Sequence, residues 1–309
     1  MEDGLTDPAE HPLTETSTSF QYAECESHDP HPRPAQVKLP AGACDTHAHV
    51  CGPIAHYPLV PNRLYNPPEA SLADYRHMLD TLGIERAVLV QPSVYGTDNR
   101  AMLDALKQDP QRLRAVAVLP FDVSRDDVQS LHALGVRGVR CNIVDLKDGK
   151  GQLPLEGLRQ LARTIRPFGW HIEFLMHVNE FDDLSGQLND LGVPLVFGHL
   201  GYVPTDLGRP PGFEGLLELA HAGKAWIKLT APYRLTKEKF PYPSTASCAD
   251  LLIREVPHRL LWGSDWPHVF IKSPMPNDGD LFNLFLGWLG GRDVMEDILV
   301  KHPAQLYGF

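Results

Sequence analysis

Residues 124–142 read SRDDVQSLHALGVRGVRCN, and the two halves of this stretch have different periods. From Ser124 to Leu134 the apolar residues recur at helical spacing, a serine suited to capping opens the run, and Gly135 stops it. Val136–Asn142 is then a short apolar run of strand type. A glycine-terminated helix followed directly by a strand is the repeating unit of a parallel α/β fold.

Working outward, the unit recurs along the chain. The spacing predicts helices over Ser71–Leu82, Asn99–Gln108, Leu155–Phe168 and Glu180–Leu191, ending at Gly83, before Asp109-Pro110, at Gly169 and at Gly192. Strands are predicted over Ala43–Val50, Arg86–Pro92, Leu113–Leu119, Val136–Asn142, His171–His177, Pro194–Leu200, Ala225–Thr230 and Leu260–Trp266. They are rich in Val, Ile and Leu and mostly lack a polar face, as parallel strands buried on both sides do. Eight such units close most naturally into a (β/α)8 TIM barrel. An open doubly wound sheet would carry a glycine-rich phosphate turn after its first strand. Here that strand runs into Val50-Cys51-Gly52-Pro53, which also sets aside a dinucleotide-binding oxidoreductase.

The predicted barrel occupies residues 41–309. Residues 1–40 are rich in Pro, Ser, Thr, Glu and His and poor in large apolar side chains, which predicts a flexible extension or an arm lying on the surface. His11, His28 and His31 within it read as solvated tail residues. Lys and Arg total 28 against 39 Asp and Glu, a net charge of -11, and no basic run appears. Nucleic acid and anionic membranes are therefore not expected partners. No apolar stretch is long enough to span a bilayer. The acidic start MEDGLTDPAEHP is the reverse of a secretory leader. Five scattered cysteines without a C-x-x-C pair read as free thiols, so a cytoplasmic protein is expected. Assembly into a homo-oligomer is left open.

In such a barrel the chemistry sits where the strands end. Strand one ends Asp45-Thr46-His47-Ala48-His49. Residues at i and i+2 on a strand point the same way about 6.5–7 Å apart, close enough to converge on one metal ion or simply to hydrogen-bond in the core. Strand five ends at His177, with Glu173 of the same parity but deeper. Strand six carries His199 in Gly198-His199-Leu200-Gly201, and strand eight Asp265 in Gly263-Ser264-Asp265-Trp266-Pro267-His268. Arg140 ends strand four and Arg234 follows strand seven; either is a guanidinium fork for an anionic substrate or half of an ordinary ion pair. Tyr95, Asn99 and His268 are candidate polar groups of a pocket. Lys228 lies within strand seven, its direction undetermined.

The motifs Asp45–His49, Phe197–Gly201 and Gly263–His268 resemble the amidohydrolase superfamily, and more closely its branch of lactone-processing enzymes. Tyr65–Ala70, Gln91–Asn99 and Gly135–Arg140 add to the resemblance, which runs from about residue 41 to the end. The resemblance implies a lactonase, a hydrolase opening a small carboxylated or sulfonated lactone in aromatic-compound catabolism. It implies one Zn2+ held by His47, His49, His177 and Asp265, or none, since the branch's pyrone lactonase is thought to work without metal. The superfamily's carboxylated lysine is absent, because strand four ends Arg140-Cys141-Asn142, so a two-metal site is not expected. Asp265 would take and return a proton, His199 would stabilise an oxyanion, and Arg140 and Arg234 would hold the acid group. The rival readings are a decarboxylase or lactone isomerase of the same superfamily, and a ligand-binding barrel without catalysis.

Overall fold

A computed structural model describes residues 22–144, 152–272 and 274–309. Eight parallel strands form one sheet in chain order: β1 Cys44–Ala48, β2 Arg86–Val90, β3 Leu113–Ala117, β4 Val136–Asn142, β5 His171–Leu175, β6 Leu195–Phe197, β7 Ala225–Leu229 and β8 Leu260–Trp262. The sheet closes on itself where Ala48 bridges to Trp266, with His49 N donating to Trp266 O (2.7 Å) and Asp265 N to His47 O (2.8 Å). The molecule is a (β/α)8 barrel.

Side-chain alternation sorts the strands into two apolar sets. Ala87, Leu89, Ile172, Phe174, Ile227 and Leu229 join the layer between barrel and helices. Cys44, Val88, Val90, Val116, Val196, Trp226 and Leu261 fill the barrel interior, which Leu306 and Tyr307 of the C-terminal helix close from below. Gly138 keeps this interior open at one point, since a Cβ there would lie 2.4 Å from the His171 ring.

The helices follow from caps and stops. Ser71 and Asp74 form a reciprocal capping box at the start of α1 (Leu72–Leu82), and Gly83 ends it with φ 79°. Helix α2 (Arg100–Gln108) ends before Asp109-Pro110, and α3 (Arg125–Leu134) runs from a Ser124 cap to Gly135. Helix α4 (Leu155–Ile165) passes into a 3-10 turn that ends at Gly169. The predicted helix over Glu180–Leu191 is shorter. Phe181 leaves the helical region, and Asp183 caps a new start at Gly186, so α5 covers only Leu184–Leu188. Helices α6 (Pro211–His221), α7 (Pro243–Glu255), α8 (Asp278–Leu289) and α9 (His302–Tyr307) complete the described set.

Residues 22–40 lie along the barrel; residues 1–21, with His11, fall outside the described residues. Ala23–Glu24 pairs with Tyr65–Asn66, Arg33 N and Gln36 N donate to Asn277 and Asn283, and the His28 ring sits 4.7 Å from that of Trp266. All five cysteines are free thiols. Among the described residues no helix is long and apolar enough to cross a membrane.

Candidate active site

A backbone irregularity aims the first histidine. Between Asp45 and Ala48 the register of β1 against β2 shifts by one residue. Cys44 belongs to the interior set, and plain alternation would send His47 outward with Ala43 and Asp45. The bulge re-aims it, so His47 and His49 both turn inward while Ala48 packs outside. The rest of the motif locks the bulge. The outward Asp45 carboxylate accepts from His47 N (3.0 Å), Ser264 N (2.9 Å), Ser264 Oγ (2.5 Å) and Tyr75 Oη (2.9 Å). Burial pushes its pKa up to about 6, against the pull of those donors. Asp45→Ala leaves these donors buried without an acceptor, at about 1–3 kcal/mol for an orphaned group. We expect a fall of about 2–4 kcal/mol in unfolding free energy, read from the urea midpoint at unchanged slope. A midpoint equal to wild type would remove Asp45 as the lock.

Gly263 allows the other side of the site to approach. A Cβ on it would lie 2.7 Å from His47 Cβ and 2.8 Å from His47 N. Strands six and eight end earlier than predicted because the chain turns left-handed at the site. His199, Leu200 and Tyr202 have φ 51–57°, Ala231 49°, and Asp265 and His268 64° and 62°. Such strain at non-glycine residues costs about 1–3 kcal/mol each and persists only where surrounding bonds hold it.

His47, His199 and Asp265 offer ligand-capable atoms within 4.8 Å of one another, all buried. Asp265 has two distinct faces. Its Oδ2 accepts from Arg234 Nε (2.9 Å), Arg234 Nη2 (2.8 Å) and Tyr233 Oη (2.7 Å). Its Oδ1 is buried without a hydrogen-bond partner and faces His47 Nε2 at 3.5 Å and His49 Nε2 at 3.6 Å. Burial alone would raise the Asp265 pKa; the Arg234 guanidinium beside it holds it well below the usual carboxylate range. The imidazoles stay neutral. Burial, with Lys228 adding, pushes His47 down to about 3, and burial lowers His49 and His199 as well. His49 Nδ1 lies 2.7 Å from the Val90 carbonyl, which can only accept, so the lone pair is on Nε2. His199 is set by Thr230, whose Oγ1 meets both its N–H (3.1 Å) and Nδ1 (2.7 Å).

Other predicted site residues stand differently. His177, two residues beyond the end of β5, is not in the His47, His199 and Asp265 cluster; its Nδ1 pairs with Tyr202 O (2.8 Å) and its ring packs on that of Tyr202. Arg234 is bound to Asp265 Oδ2 and to Val269 O. Tyr95 Oη accepts from Gly52 N, and the Asn99 amide ties Thr97 to Val118. His268 is buried between Tyr233 Oη (2.9 Å) and Asp278 (3.0 Å). Arg140 points inward, only 7% exposed. Its Nη1 donates to Gln91 O (2.8 Å), its Nε is buried without a partner, and among the described residues no carboxylate lies within ion-pair distance. Residues that sequence reasoning missed are Tyr233, Thr230 and Gln91; adjacency to Arg234 and to the ends of β7 and β2 was the available signal.

A buried group of imidazoles and a carboxylate at the C-terminal mouth of a (β/α)8 barrel, with the Arg234 guanidinium beside it, defines the class: a barrel built for polar bond chemistry on a small molecule. The chain belongs to the amidohydrolase family, whose sequence profile matches residues 44–309. It is similar to a 4-sulfomuconolactone hydrolase of Rhizobium radiobacter, with 35% identity over 278 residues, 89% of this chain and 93% of the relative. A 2-pyrone-4,6-dicarboxylate hydrolase of Comamonas testosteroni is 34% identical over 286 residues, again 89% and 93% of the two chains. Among solved structures, a probable 2-pyrone-4,6-dicarboxylic acid hydrolase of Acinetobacter baumannii with citric acid bound matches with TM-score 0.76 and 29% identity. It covers 87% of this chain and 100% of its own.

Proposed function

We propose that the protein hydrolyses the ring ester of a small lactone bearing a carboxylate or sulfonate. The observation that carries this reading is Arg140, a buried guanidinium without a carboxylate partner among the described residues, in electrostatic reach of His49 and His199, the imidazoles that stand with an ionised Asp265 whose Oδ1 is bare. An anionic substituent pairs with Arg140, and the ester carbonyl then lies toward the imidazoles. Water attacks the carbonyl carbon and gives its proton to Asp265 Oδ1. The carbon–oxygen ring bond breaks, and the same proton passes to the departing oxygen. His199, oriented by Thr230, supports the charge that builds on the carbonyl oxygen. The names of the two relatives and the citrate in the related structure agree with an acidic substrate.

The site also fits a single divalent cation. His47 Nε2 and Asp265 Oδ1 are buried polar atoms without partners, His47, His199 and Asp265 bring ligand-capable atoms within 4.8 Å of one another, and His49 Nε2 lies 3.6 Å from Asp265 Oδ1, a nitrogen–oxygen donor set suited to zinc. His47, His49, His199 and Asp265 would hold it. When bound, zinc supplies a Lewis acid for the carbonyl oxygen and makes water more acidic.

The test is ring opening of 2-pyrone-4,6-dicarboxylate and of sulfomuconolactone, before and after chelation, with metal analysis. We expect turnover of at least one, and a drop of about a hundredfold or more on removing an ion worth several kcal/mol of charge stabilisation. Zinc should be lost in His47→Ala and retained in His177→Ala. Folded, metal-replete protein inert toward every acidic lactone would sink the reading.

A further inference from the structure

Beneath His47 lies a polar group that this reaction does not use. Lys228 Nζ, fully buried inside the barrel, donates to Thr46 O (2.7 Å) and Glu173 Oε2 (2.6 Å) and lies 3.2 Å from His47 Nδ1. Glu173 Oε1 lies 3.1 Å from the same Nδ1. That nitrogen has one position for a proton. It either donates to Glu173 or accepts from Lys228.

The two arrangements are not equivalent. Five buried atoms here lack hydrogen-bond partners: Glu173 Oε1, His47 Nε2, Asp265 Oδ1 and the two ring nitrogens of His171, whose Nε2 lies 3.9 Å from Glu173 Oε2 in either arrangement. With the proton on Nδ1, Glu173 Oε1 is satisfied, and a lone pair on Nε2 joins Asp265 Oδ1 in facing a substrate, water or cation. With the proton on Nε2, Glu173 Oε1 stays orphaned. The N–H would then face Asp265 Oδ1 at 3.5 Å, the limit of any hydrogen bond. The third ammonium proton of Lys228 has the Tyr307 ring, its centroid 6.0 Å away. The first arrangement leaves fewer buried polar atoms without a partner.

We infer that Glu173 and Lys228 are positioning residues: Glu173 accepts the Nδ1 proton of His47 and so fixes the lone pair on Nε2 toward the mouth, and Lys228 supplies the counter-charge that lets a carboxylate serve there. A buried carboxylate without that ammonium would be strongly disfavoured. The inference rests on reading His47 as a group presented to the reaction site.

Paired variants separate the acceptor from the charges. The double variant Glu173→Gln/Lys228→Met removes both charges and keeps a carbonyl acceptor; Glu173→Leu/Lys228→Met removes the acceptor too. Nitrogen NMR of imidazole-labelled protein, with His47→Gln to assign the signal, reads the tautomer. We expect Nδ1–H in wild type and in the glutamine variant, and Nε2–H in the leucine variant. Zinc affinity, by competition with a chromophoric chelator, should be about 10–100-fold weaker in the leucine variant than in the glutamine variant. Nε2–H in wild type, or the same tautomer in both double variants, would overturn the inference. The wild-type spectrum alone decides if the leucine variant does not fold. If wild type binds no zinc, the metal reading falls while the tautomer comparison still decides this one.

Discussion

Replacing Asp265 by Asn is expected to lower kcat/KM for ring opening by about 10²–10⁴-fold, the range for losing a positioned general base. The isosteric amide keeps the volume but gives no oxygen able to take a proton from water. It also leaves Arg234 facing a neutral group in a buried position. Part of the loss is then structural, and Arg234→Met is the control. In that variant the carboxylate remains but loses the charge that depresses its pKa, while burial still raises it. A depressed carboxylate stays ionised down to low pH. With Arg234 gone, the acid limb of the kcat/KM profile should move to higher pH, while activity on its plateau survives better than in Asp265→Asn. An unmoved acid limb would show that this carboxylate does not set the pH dependence. Turnover of Asp265→Asn within tenfold of wild type would remove it from the chemistry.

The sequence disclosed those parts of the molecule that depend on neighbours in the chain. Capping at Ser71 and Ser124 and glycine stops at Gly83 and Gly135 are local, and α1 and α3 fall within a residue of their predicted limits. The run Glu180–Leu191 misled because the side chain of Asp183 competes with the helix for backbone donors. Strands six and eight were drawn too long. Apolar patterning gives no sign that His199 and Asp265 turn left-handed, beside long-range bonds such as those Ser264 donates to Asp45. The inward aim of His47 and His49 was foreseen as a pair, but not the bulge that achieves it. Contacts across the barrel were illegible. Nothing local paired Arg234 with Asp265, which lies on another strand's loop, or Glu173 with Lys228.

Arg140→Met should raise KM for an acidic lactone far more than it lowers kcat. Deleting a buried charge-assisted pair typically costs about 2–5 kcal/mol, here a fall of about 30- to 5,000-fold in kcat/KM. The same ring without its acid group should be turned over equally by wild type and variant, because the guanidinium recognises the charge and not the ester. Arg140→Lys should recover only part of the loss, since an ammonium cannot reproduce the two-pronged geometry of a guanidinium on a carboxylate. Stability supplies an independent sign. Arg140 is buried with Nε unpartnered, and among the described residues no carboxylate lies within ion-pair distance of its charge. Removing it should leave the fold as stable as before or more so, whereas removing half of an existing ion pair would weaken it. Lost recognition of anionic substrate together with an undiminished urea midpoint is therefore the signature expected of a guanidinium kept for an absent anion. A variant that is destabilised, or that loses neutral and acidic lactones alike, would show Arg140 to be a structural residue instead.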